Sequence, residues 1–183
     1  MNIIDTELQG LKIVDLKRFG DHRGFFVERY REDKFKEAGI ASHFVQDNHS
    51  RSAPGILRGL HYQVSPAQGK LVGVTRGRIF DVAVDIRQNS PTFGKWFGTE
   101  LNDENMRMLW VPAGFAHGFC VLGNELADVV YKVDGLYNAK SEGGLLWNDP
   151  AIGVKWPLEN PILSERDTRL ETLAQYRQHP KFN

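Results

Sequence analysis

Apolar and polar residues alternate with a period of two along most of the chain. The clearest run is Arg78–Ile86, where Phe80, Val82, Val84 and Ile86 fall on one face and Ile79, Asp81, Ala83 and Asp85 on the other, the pattern of a β-strand. Comparable runs occupy Leu11–Leu16, Phe25–Tyr30, His43–Asn48, Ile56–Gln63, Lys70–Thr75, Lys95–Leu101, Met108–Val111, His117–Leu122, Leu126–Val133 and Gly144–Trp147. Turn-forming residues such as Arg76-Gly77, Asn89-Ser90-Pro91, Asn102-Asp103 and Gly123-Asn124 separate many of them. Short strands at this spacing predict an all-β sandwich or barrel rather than alternating βα units. Helix is expected only at Arg31–Ala38, closed by Gly39, and at Glu165–Gln178, entered through Ser164 and Asp167.

Composition narrows the setting. A length of 183 residues suits one domain spanning 1–183, and a hydrophobic fraction of 41% is enough for a packed core. The 23 basic and 23 acidic residues cancel, which argues against a nucleic-acid partner while leaving room for a local cationic pocket. Cys120 is the one cysteine, so no intrachain disulfide is available. No apolar run approaches the ~18 residues of a membrane helix, and the opening MNIIDTELQG lacks the basic-then-apolar pattern of a signal peptide. A cytoplasmic protein without a membrane partner is expected.

Two stretches carry candidate chemistry. In Leu57-Arg58-Gly59-Leu60-His61-Tyr62-Gln63, strict alternation puts Arg58, Leu60 and Tyr62 on one face and Leu57, Gly59, His61 and Gln63 on the other. His61 then projects from a rigid strand. Imidazole is the side chain best suited to general-base work near neutrality, although a lone strand histidine is more often a hydrogen-bonded core residue. The second stretch, Pro112-Ala113-Gly114-Phe115-Ala116-His117, is Pro-x-Gly-x-x-His, which resembles the second half of the cupin signature. Cupins that bind metal also carry His-x-His in the first half. Here the matching place reads His61-Tyr62-Gln63, and two distant imidazoles make a poor metal site when catalytic zinc takes three protein ligands. The expectation is an all-β, cupin-like jelly-roll sandwich or barrel without metal, with a few short helices mainly at the C-terminus.

The resemblance sharpens when further motifs are taken together. Asp21-His22-Arg23-Gly24-Phe25-Phe26-Val27-Glu28, Gln46-Asp47-Asn48, LRGLHYQ, Gln68-Gly69-Lys70-Leu71-Val72, FDVAVDIR, SPTFGKW and PAGFAHGF follow one another in order. Val130-Tyr131-Lys132, Tyr137-Asn138, Ser141-Glu142-Gly143 and Leu163-Ser164-Glu165-Arg166-Asp167 continue the series. In this order and spacing they resemble the dTDP-4-dehydrorhamnose 3,5-epimerase family. Taken alone, Asp167 reads as an exposed helix-start residue, Tyr131 as core and Lys70 as solvated.

That resemblance implies an isomerase, free of metal and cofactor, that epimerises carbons 3 and 5 of dTDP-4-dehydro-6-deoxy-D-xylo-hexose in dTDP-L-rhamnose biosynthesis. It implies His61 as base, Asp167 as its orienting carboxylate, Tyr131 as acid and Lys70 as the cation at the enolate oxygen. Arg23, Arg58 and Arg166 would meet the anionic groups, a guanidinium fork being suited to phosphate. Glu28, Gln46, Asn48, His117 and Glu142 would contact ligand, and Tyr137 would stack on the thymine. Arg166 stands where the family often has lysine. A homodimer is also implied, its N-terminal strands leaning on the neighbouring subunit. The alternatives are an epimerase acting at one carbon only, a metal-dependent cupin, and a non-catalytic sugar-nucleotide binding barrel.

Overall fold

The alternation at Arg78–Ile86 forms a strand buried on both faces. Ile79 and Ala83 enter one apolar cluster, while Val82, Val84 and Ile86 enter another. The computed structural model describes residues 1–40 and 43–183. Its strands are β1 (Asn2–Asp5), β2 (Lys12–Asp15), β3 (Arg18–Asp21), β4 (Gly24–Val27), β5 (Gln46–Ser52), β6 (Leu57–Gln63) and β7 (Lys70–Arg76). They continue with β8 (Arg78–Asp85), β9 (Trp96–Asn102), β10 (Met108–Val111), β11 (Phe115–Val121), β12 (Ala127–Val133) and β13 (Glu142–Gly144). One sheet runs β1-β2-β10-β7-β12-β5 and the other β13-β6-β11-β8-β9, while β3 and β4 form a separate hairpin. This is the expected all-β sandwich.

Three apolar layers hold it together. Val72, Val74, Leu109, Phe119 and Val129 fill the space between the sheets. The five-stranded sheet is covered on its far side by C-terminal residues, including Ile152, Leu173 and Tyr176. Tyr176 is fully buried, and its hydroxyl donates to the Ile86 carbonyl at 2.9 Å, so the ring enters the core without stranding its polar end. On the outer side of the six-stranded sheet, Phe35 of helix α1 (Glu32–Glu37) packs with Val14, Leu71 and Met108. This helix closes as its sequence suggests. Gly39 takes φ +71°, its N–H donates to the Lys36 carbonyl, and the Ile40 N–H donates to that of Phe35. That pair of bonds is the Schellman arrangement.

The C-terminal helix departs from expectation. Glu165–Gln178 is not continuous: a 3₁₀ turn at Asp167–Arg169 is followed by extended chain and then helix α2 (Leu173–Gln178). Glu171 explains the break. Its carbonyl accepts from the Leu146 N–H, and its carboxylate accepts from the Tyr62 hydroxyl at 2.7 Å. The helix restarts at Thr172, which forms a capping box with Gln175. Two strands, β1 and β3, were not expected. The strand expected at His43–Asn48 lies instead at Gln46–Ser52, and that expected at Gly144–Trp147 at Glu142–Gly144.

Candidate active site

The site is built on an irregularity in β6. Opposite β11, His117 pairs with His61 but Phe119 with Arg58, so one extra residue is accommodated in β6, a β-bulge. The bulge corrects the strict alternation: Arg58 and His61, expected on opposite faces, both line one cavity. Gly59 makes this possible. It takes φ +121°, and a Cβ there would lie 2.5 Å from the Gly118 Cα and 2.8 Å from the His117 carbonyl oxygen. Only glycine fits.

The cavity lies between the two sheets and has a volume of about 520 Å³. The five-stranded sheet contributes Arg58, His61 and His117, and the six-stranded sheet contributes Lys70 and Tyr131 from facing strands. Ser164, Arg166 and Asp167 close one side. His61 Nε2 donates to the Asp167 carboxylate oxygen Oδ1 at 2.6 Å, the contact that selects the tautomer with its lone pair on Nδ1 whenever the ring is neutral. Burial opposes ionisation of Asp167, yet its hydrogen bonds with His61, Ser164 and the Gly59 amide hold its carboxyl below the ordinary value. The bulge therefore aims the histidine and also helps keep its carboxylate charged.

The opposite wall has a different character. Burial, reinforced by the nearby Glu142 carboxylate, raises the Tyr131 phenol above its ordinary value, with Arg58 opposing. The hydroxyl is thus held protonated at neutral pH. Lys70 reaches the cavity, but the surrounding protein screens it from bulk solvent. This burial lowers its amine to about 8, against the pull of Glu142 and Asp81. It remains mainly cationic at pH 7. The second histidine, His117, hydrogen-bonds through Nε2 to both oxygens of fully buried Asp81, at 2.9 and 3.0 Å.

Polar residues near this cavity form a linked set. Gln46 Nε2 donates to Asn48 Oδ1 at 2.8 Å, and the Tyr137 N–H donates to Gln46 Oε1 at 3.0 Å. Glu142 Oε2 accepts from the Tyr137 hydroxyl at 3.1 Å and from Arg166 Nη1 at 2.7 Å. Tyr137 is itself exposed. Gln46, Asn48, Tyr137 and Glu142 do not line the cavity themselves but join it through Arg166, whereas two other expected binding residues lie further off. Arg23 projects from the β3–β4 hairpin and pairs with Asp21, and Glu28 accepts from Lys34 at 3.4 Å; neither lines the cavity of its own chain.

Sequence reasoning missed several contributors. Ser52 Oγ accepts from Arg58 Nε at 2.9 Å and so orients that guanidinium. Asp81, Ser164 and Ser50 were missed as well. A signal was present in Gln46-Asp47-Asn48-His49-Ser50-Arg51-Ser52, where every second residue is small or amide-bearing and faces inward. Among the described residues, no group of three or more His, Cys, Asp or Glu side chains is placed to hold a metal ion.

Residues 5–175 match the family model described as dTDP-4-dehydrorhamnose 3,5-epimerase. The chain is 56% identical over 169 residues to the dTDP-4-dehydrorhamnose 3,5-epimerase of Shigella flexneri, covering 91% of this chain and 93% of that one. Among solved structures it is similar to the dTDP-6-deoxy-D-glucose-3,5-epimerase of Legionella pneumophila in complex with dTDP-4-keto-L-rhamnose. That match has 50% identity and a TM-score of 0.91, covering 94% of this chain and 93% of the other. A dTDP-4-dehydrorhamnose 3-epimerase from Streptomyces niveus is more distant, at 38% identity over 179 residues, 97% of this chain and 86% of its own. The chain belongs to the dTDP-4-dehydrorhamnose 3,5-epimerase family.

Proposed function

We propose that this family member epimerises carbons 3 and 5 of dTDP-4-dehydro-6-deoxy-D-xylo-hexose, giving dTDP-4-dehydro-L-rhamnose for dTDP-L-rhamnose synthesis. One observation carries the mechanism: a His–Asp pair and a protonated phenol face one cavity from opposite sheets, with a cationic amine on the phenol's side. Protons on the carbons flanking the 4-keto group are acidic. His61 Nδ1 takes one of them, and the C–H electron pair becomes the carbon–carbon double bond of an enolate. Negative charge gathers on the 4-oxygen, where the Lys70 ammonium stabilises it. Asp167 stabilises the imidazolium. Tyr131 then delivers its hydroxyl proton to the other face of the same carbon, which inverts it. Solvent restores both side chains before the second carbon reacts.

Substrate binding follows from charge and shape. Arg58 and Arg166 supply guanidinium donors for the diphosphate, and Tyr137 offers an exposed ring to the thymine. Arg166 exchanges its bond with Glu142 for one with phosphate. Gln46, Asn48, His117 and Glu142 complete the contacts.

Arg23 and Glu28 reach substrate in a homodimer. The hairpin that carries Arg23 exposes Phe19, Phe25 and Phe26, the last at 68%. A two-stranded hairpin with bare aromatic rings has little stability alone, and a second copy would cover it while receiving Arg23 at its cavity. The setting is cytoplasmic; no helix among the described residues is long and apolar enough to cross a membrane.

Turnover in heavy water tests this reading. Solvent deuterium at both carbons 3 and 5 of the product is expected. Deuterium at neither would overturn proton abstraction, and at one alone would favour the single-carbon epimerase represented by the Streptomyces niveus relative.

A further inference from the structure

Strand β5 turns Gln46, Asn48, Ser50 and Ser52 toward the sandwich interior, and three of them have partners there. Gln46 and Asn48 bond to one another, and Ser52 accepts from Arg58. Ser50 Oγ is buried beside the cavity and makes no hydrogen bond. Only one other side-chain atom among the described residues shares that condition, on Arg29, outside the cavity lining. A buried hydroxyl without a partner is costly. Serine has three staggered rotamers, so a change of χ1 well can present this hydroxyl to a bound ligand.

Its position indicates which ligand group that is. Tyr131 pairs with Asn48 and Val129 with Ser50, so Ser50 lies one inward-facing step beyond the Tyr131 row, about 6.8 Å along the strand. Val129 lies opposite it, and Leu57 and Phe119 line the same cavity. Given the proposed function, on which this inference rests, a hexose with its 4-oxygen at Lys70 carries two hydroxyls, on carbons 2 and 3. Carbon 3 inverts during the reaction, so a fixed partner for its hydroxyl would have to let go. Carbon 2 keeps its configuration throughout. We propose that Ser50 binds the 2-hydroxyl and holds the ring in place through both inversions. A serine hydroxyl can donate to it and accept from it.

The test compares wild type and Ser50→Ala on dTDP-4-dehydro-6-deoxy-D-xylo-hexose and on its 2-deoxy analogue, reading kcat/KM. Wild type should prefer the 2-hydroxy substrate by about tenfold, and Ser50→Ala should lose about tenfold on that substrate. In Ser50→Ala the preference between the two substrates should shrink to less than about threefold. A purely structural role would lower both substrates equally and leave the preference intact, which overturns the inference. Should the variant fail to fold by circular dichroism, wild type alone decides: a preference under about threefold overturns the assignment. Absence of any turnover by wild type would instead sink the epimerase reading itself.

Discussion

His61 and Asp167 lie 106 positions apart in sequence, yet Nε2 of one donates to Oδ1 of the other at 2.6 Å. The bond depends on two departures from regular structure: the bulge at Gly59 and the 3₁₀ turn that carries Asp167 inward. Asp167→Asn keeps the size of the side chain and removes the charge proposed to stabilise the imidazolium. Steady-state kinetics should show kcat reduced by about three orders of magnitude with little change in KM. A loss under tenfold (about 1.4 kcal/mol of barrier) would mean the carboxylate only packs.

Lys70 predicts an alkaline limb. Burial lowers its amine to about 8, so the charge proposed to act at the enolate oxygen disappears as pH rises through that value. Stability moves the other way. Between about 8 and the ordinary 10.5, the unfolded chain binds a proton that the folded one has released, so this residue's contribution rises with pH over that window. Activity should therefore fall near pH 8 while thermal stability does not. Lys70→Arg stays charged and should lose the limb; a limb unmoved in that variant would assign it to another group.

Lys70→Ala removes the cation altogether. Comparable oxyanion donors contribute about 2.7–4 kcal/mol, or roughly 10²–10³ in kcat. Single-turnover kinetics at saturating substrate should show that loss in the chemical step. A change confined to KM would make Lys70 a binding residue only.

Gly59→Ala tests the bulge. The added methyl meets backbone at 2.5 and 2.8 Å and sits at positive φ, so destabilisation of more than about 2 kcal/mol is expected. Thermal unfolding measures it, and an unchanged midpoint would show that β6 can straighten.

The hairpin carries the dimer reading. Phe26→Asp should move the protein toward monomer in analytical ultracentrifugation and weaken affinity for the substrate's diphosphate. Arg23→Ala should weaken that affinity while leaving the dimer intact. Full affinity in a stable monomer would count against a shared cavity.

Much of this was legible in the sequence because alternating apolar runs mark buried strands, as at Arg78–Ile86 and Met108–Val111. The illegible parts share a physical cause. Strand β5 is polar throughout because its inward side chains serve the site rather than a core: Ser50 lines the cavity, Ser52 holds Arg58, and Gln46 bonds to Asn48, so hydrophobic periodicity ended it too early. The break before α2 is set by Glu171 bonding to Leu146 and Tyr62, long-range contacts that no local pattern reports. Arg58 was assigned to the wrong face because a bulge shifts the register by one residue, and a glycine in a strand hints at a bulge without fixing which neighbour is displaced.

The central claim is that His61 and Tyr131 work on opposite faces of one ring. Tyr131→Phe, incubated with substrate in heavy water and followed by NMR, tests it most directly. The imidazole can still remove a proton and return a deuteron to the same face, so substrate should gain deuterium without inversion and product should not form. Product formed at the wild-type rate, or deuterium appearing only with inversion, would contradict the two-faced arrangement.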